Sequence, residues 1–142
     1  PAYQDTGLVS VTTYYYQVEA IDQVGNASLP SAAIAAVTSG VEKPSDLRPS
    51  ASTPSDITQP PEVTISWTGS VGAILHYELQ RTMVANSTND ADFVVVGTNS
   101  LDTQRVDDTV LRGTTYYYRV RARDIDDRIS EWTDPARVDV KN

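Results

Sequence analysis

The sequence predicts an all-β fold, an antiparallel β-sandwich, and three of its features carry that prediction. Apolar and polar residues alternate in several short segments, which is the period of a half-buried strand. No window of useful length shows helical spacing. A stretch near the N-terminus recurs at one fixed offset, so what holds for one copy is expected of the other.

In chain order, Tyr14, Tyr16, Val18 and Ala20 fall on one face of the first segment, with Tyr15, Gln17 and Glu19 on the other. Residues 31–37 (SAAIAAV) contain helix formers, but the run is short and falls where the repeat demands a last strand. Val63, Ile65 and Trp67 alternate with Thr64 and Ser66, and Tyr77 and Leu79 alternate with Glu78 and Gln80. Phe93-Val94-Val95-Val96 is a β-branched run closed by Gly97. Over 116–123, Tyr116, Tyr118, Val120 and Ala122 face one way and Tyr117, Arg119, Arg121 and Arg123 the other. Short strands separated by turn signals at this spacing predict a sandwich.

The repeat sets the domain organisation. Thr12-Thr13-Tyr14-Tyr15-Tyr16 recurs as Thr114-Thr115-Tyr116-Tyr117-Tyr118, 102 residues later, and residues 5–22 match 107–124 at nine of eighteen positions without a gap. Such a period is a small domain plus a joint, since solenoid repeats run to about 20–50 residues. Residues 44–142 are expected to form a complete domain, 41–43 a linker between Gly40 and Pro44, and 1–40 the C-terminal part of a preceding domain. Charge divides at the same place. Residues 1–42 carry four acids and no Lys or Arg, whereas 43–142 carry eleven bases and fifteen acids.

At 142 residues the chain is long enough for a real core. Its net charge of −8 argues against a nucleic acid partner. With no Cys there is no disulfide, thiolate metal site or cysteine nucleophile. No run of about eighteen apolar residues could span a membrane, and the first residues lack the basic and apolar regions of a signal peptide.

These residues resemble the fibronectin type III family, an immunoglobulin-like β-sandwich. The resemblance rests on Lys43-Pro44-Ser45-Asp46-Leu47, Trp67, Tyr77, and Val110 with Thr114, Tyr116, Val120 and Ala122, and in the first copy on Leu8, Thr12, Tyr14, Val18 and Ala20. Val110 stands where the family usually has Leu. The runs Tyr3-x-Asp5-Thr6-Gly7-Leu8 and Asp22-x-x-Gly25-Asn26-x-Ser28 look like modules of secreted prokaryotic proteins. The resemblance implies that Tyr14 and Tyr116 form tyrosine corners, each hydroxyl bonding backbone a few residues upstream. Tyr16 and Tyr118 are then core residues, and Trp67 centres the second core with Tyr77, Leu79, Tyr118 and Val120.

Candidate sites are few. The sole histidine, His76, lies beside Tyr77 on an outward face, and no Gly-x-Ser-x-Gly elbow exists, so catalysis is not expected. Carboxylates cluster at Asn89-Asp90-Asp92, Asp107-Asp108 and Asp124-Asp126-Asp127 without a spaced calcium loop, and read as solvated turn residues. Asp124, Asp126 and Asp127 are the first place to look for a metal. No cofactor is expected. Asn26-Ala27-Ser28 and Asn86-Ser87-Thr88 are formal glycosylation acceptors. Arg119, Arg121 and Arg123 form a ladder, with Ser130-Glu131-Trp132-Thr133 beginning the neighbouring strand, so Trp132 is expected over one of the three guanidinium groups.

The function that follows is a non-catalytic extracellular spacer and protein-interaction module of a larger secreted or cell-surface protein. Its partners are neighbouring domains of the same polypeptide, with another copy of the chain, a surface protein or a polysaccharide as further candidates. The alternatives are a self-assembling structural or adhesive subunit completed by strand exchange, and an accessory carbohydrate-binding module. Residues 1–40 expose an apolar face that a second sheet must cover, either from strands upstream of Pro1 or from a second copy.

Overall fold

The structure, a computed structural model, describes residues 2–6, 8 and 11–142. It divides into two compact units, Pro1–Gly40 and Val41–Asn142. In the first, β1 (Thr13–Tyr16) and β2 (Ile34–Val37) pair antiparallel. The second contains β3 (Ser45–Ser52), β4 (Glu62–Thr68), β5 (Ile74–Thr82), β6 (Val94–Val95), β7 (Gln104–Asp107), β8 (Thr115–Asp124) and β9 (Ala136–Asp139). These form a three-stranded sheet, order β3-β4-β7, and a four-stranded sheet, order β6-β5-β8-β9. All neighbouring strands run antiparallel.

Alternation in the sequence becomes a core because both sheets turn one face inward. Val63, Ile65 and Trp67 on β4 meet Tyr77 and Leu79 on β5 and Tyr118, Val120 and Ala122 on β8, all of them buried. Trp67 is 6% exposed and stands edge-on to Tyr77, with ring centroids 5.6 Å apart. Pro49, which has no N–H to donate, is tolerated because β3 is an edge strand. The loop before β4 has no ladder of its own. Arg112 Nη2 instead reaches the carbonyls of Pro54, Asp56 and Gln59 at 2.8–3.1 Å.

Three expectations change. Val41, assigned to the linker, is 5% exposed and belongs to the core of the second unit, since an apolar side chain beside a sandwich is buried rather than left in a joint. The strand expected to begin at Ser130 begins at Ala136. The residues before it keep half of a ladder, the N–H groups of Ser130 and Thr133 donating to the carbonyls of Ala122 and Val120. Side chains replace their carbonyls as acceptors: Ser130 Oγ accepts from Ala122 N–H and Thr133 Oγ1 from Val120 N–H. In the first unit, Ser28 and Ser31 accept likewise from Ala20 and Val18, and β2 starts only at Ile34. Finally, Val18 and Ala20, expected to face inward, are exposed because no second sheet lies over them among the described residues.

Candidate functional site

The outer face of the four-stranded sheet carries a network of paired charges. Arg119, Arg121 and Arg123 project from alternate positions of β8. Arg119 lies 3.6 Å from the Phe93 ring centroid on one side and 4.2 Å from the Trp132 ring on the other. Arg121 lies 4.4 Å from the same indole. Although on the outer face, Arg119 is buried, because these two rings enclose it. The ladder is also neutralised from within. Gln80 and Asp90 take Arg119, Glu78 takes Arg121 and Arg123, and Asp127 takes Arg123. Burial opposes ionisation of Glu78, but the bonds from Arg121, Arg123 and His76 outweigh it and hold its carboxyl below the usual range.

His76 sits 3.5 Å from Glu78 and 3.3 Å from the Asn99 amide. Glu78 is already engaged by Arg121 and Arg123, so its carboxylate serves the ladder. Among the described residues, no group of three or more His, Asp or Glu side chains is placed to hold a metal. The Asp124 carboxylate instead closes its own turn. It accepts from the N–H groups of Asp126 and Arg128 and from the Arg128 guanidinium at 2.8–3.0 Å. Burial works against its charge, and these donors prevail, keeping the carboxyl low. Asp126 pairs with Arg128 and Asp127 with Arg123.

Asp107 is the site the sequence reading missed. Expected to be a solvated turn residue, it is 2% exposed and lies against the core. Its Oδ2 accepts from the Tyr118 hydroxyl at 2.9 Å and pairs with Arg81, and its Oδ1 accepts from the hydroxyl and N–H of Thr109. Burial disfavours the carboxylate, yet Thr109, Arg81 and Tyr118 together hold its pKa below the ordinary value. Burial, reinforced by the charge on Asp107, pushes the Tyr118 phenol well above the usual range. Next to it, the Tyr116 hydroxyl accepts the N–H of Leu111 at 3.1 Å and caps the turn before β8. The corner expected at Tyr14 turns on backbone upstream that includes residues 7, 9 and 10, which lie outside the described residues.

The two hairpins superpose in connectivity at the offset of the repeat. Thr13 faces Val37 and Tyr16 faces Ile34, as Thr115 faces Asp139 and Tyr118 faces Ala136. The isolated bridge between Ile21 and Ala27 answers that between Arg123 and Ile129. Asp22 closes the turn to Asn26 as Asp124 closes that to Arg128, with the side-chain amide of Asn26 in place of a guanidinium. Gly25 and Asp127 both have positive φ, at 93° and 67°. The Tyr16 hydroxyl donates to Asp5 Oδ2 at 3.0 Å, where Tyr118 donates to Asp107. Exposure separates the copies: Val18 is 72% exposed and Val120 0%.

Seven antiparallel strands in sheets of three and four, a buried Trp on the second strand and a tyrosine hydroxyl capping the turn before the long strand decide the architecture. The fold is that of a fibronectin type III domain. An Fn3-like protein from Clostridium thermocellum is similar, with a TM-score of 0.56 at 23% identity over 73% of this chain and 97% of that one. The fn3 domain of the human collagen alpha-1(XX) chain has a TM-score of 0.57 at 21% identity over 73% of this chain and 89% of its own. No family model matches the chain. Exoglucanase B of Cellulomonas fimi is 30% identical over 99% of this chain, which spans 12% of that protein's length. The chain is thus similar to one stretch of a much longer protein.

Proposed function

We propose that the chain is a non-catalytic spacer and protein-interaction module, extracellular or on the cell surface, within a larger polypeptide. In this reading 41–142, with Val41 in its core, is a complete fibronectin type III domain and 1–40 is the C-terminal part of another, set in tandem. The observation that carries it is the agreement of the two hairpins, residue for residue, at an offset of one domain length. A sandwich whose charges pair internally sets distance and orientation between neighbouring domains. The similarity to a stretch of Exoglucanase B supports a place beside domains that act on a polysaccharide. Among the described residues no helix is long and apolar enough to cross a membrane.

Deletion of the segment from its parent polypeptide tests the reading. A spacer leaves the parent's activity on a small soluble substrate unchanged and alters its action only on extended or surface-bound targets. The isolated chain should neither hydrolyse nor sediment with insoluble polysaccharide. Retention on the polysaccharide would favour an accessory binding module instead.

A further inference from the structure

We propose that Asp5 is one half of a buried ion pair, and that its other half is a guanidinium carried by strands that precede Pro1 in the parent polypeptide and cover the apolar face of the first unit. The proposal rests on reading 1–40 as the end of a fibronectin type III domain. The second unit shows what such a hairpin packs against. There β5 lies beside β8 and the β3-β4-β7 sheet lies over it, and Arg81, paired with Tyr118 in the ladder, reaches Asp107. The first unit repeats the acceptor and its phenol, Asp5 and Tyr16, in the same bond. It also repeats the apolar positions around them: a groove of about 810 Å³ lies against Asp5, Leu8, Tyr16 and Val18. Among the described residues, β1 has a strand on one edge only.

Charge decides what must come with the cover. A carboxylate taken out of water without a cation is strongly disfavoured. Residues 1–42 contain no Lys or Arg, so the hairpin cannot neutralise Asp5 itself. The cation must arrive on the covering strands. Geometry selects arginine: in the second unit the Arg81 guanidinium meets the carboxylate while lying 5.0 Å from the ring centroid of Tyr116, whose counterpart is Tyr14. A planar guanidinium pairs with the carboxylate through its fork while stacking on the ring, a geometry that a compact, strongly hydrated ammonium does not reproduce.

In the parent polypeptide an arginine is expected 26 residues before Asp5, the separation of Arg81 from Asp107. Any other residue at that strand position overturns the proposal. The direct test extends the full chain at Pro1 with a second copy of its own residues 43–102, which keeps the repeat in register and sets a second Arg81 opposite Asp5. Amide exchange is read at β1, with β8 as internal reference. Protection of β1 should rise to within about tenfold of β8. Asp5→Asn, or Arg81→Met in the added copy, should each cost about tenfold or more of it, and the double variant no more than either alone. Protection that appears and is indifferent to Asp5→Asn overturns the ion pair and leaves the domain reading standing. If β1 gains no protection, the domain reading and the ion pair both fall.

Discussion

The Tyr118 hydroxyl donates to Asp107 Oδ2 at 2.9 Å from inside the sandwich, joining the end of β7 to the middle of β8. Arg81 completes the set from β5, so one carboxylate ties three strands of two sheets together. Asp107→Asn should therefore destabilise the second unit by about 1.5–3 kcal/mol, the range for hydrogen bonds to charged groups. Urea unfolding at neutral pH measures it.

The same carboxylate gives a pH dependence of definite sign. Its folded pKa lies below the unfolded value, so its contribution is complete above the unfolded pKa near 4. It is lost as pH falls through the folded value. The difference in unfolding midpoint between the native chain and Asp107→Asn should shrink steadily from pH 5 towards pH 2.

Tyr116→Phe removes one buried bond without opening a cavity. It should cost about 1 kcal/mol, and the Leu111 amide, left without its acceptor, should exchange faster than its neighbours.

Trp67→Ala opens the centre of the core and should cost about 3–5 kcal/mol, a large part of a domain's stability. Trp67→Phe should be far milder than Trp67→Ala. The indole Nε1 has no hydrogen-bond partner in the structure, so losing it leaves no acceptor unmet. Thermal unfolding of both variants separates packing from polarity.

Trp132→Ala should cost about 1–2 kcal/mol, from two cation–π contacts of about 0.5–1 kcal/mol each. Trp132→Phe should recover part of that, as measured by urea unfolding.

The parts of the fold legible in the sequence were those written at period two. The alternation of Tyr116, Tyr118, Val120 and Ala122 fixes which face of β8 is buried, and the repeat carries the same register to β1. The start of β9 was not legible, because Ser130 and Thr133 look like ordinary strand residues until their hydroxyls take over as acceptors. Asp107 was hidden for a similar reason: Asp107-Asp108 reads as a turn, and its partners Arg81 and Tyr118 lie 26 and 11 residues away. A repeat signal did exist. Asp5 and Tyr16 recur as Asp107 and Tyr118 with the same spacing, and a solvated turn acid has no reason to keep step with a core tyrosine.

Arg112 has a consequence for how long the protein survives intact. The stretch it holds, between Pro54 and Gln59, lies in the loop joining β3 to β4, outside both strand ladders, and exposed loops of this kind are natural places for cleavage. A protease must draw several residues of backbone into its cleft in extended form. Here that motion would break the guanidinium away from three carbonyls at once. One side chain thereby makes this loop a stretch cut only after partial unfolding, so resistance to proteolysis would depend on it.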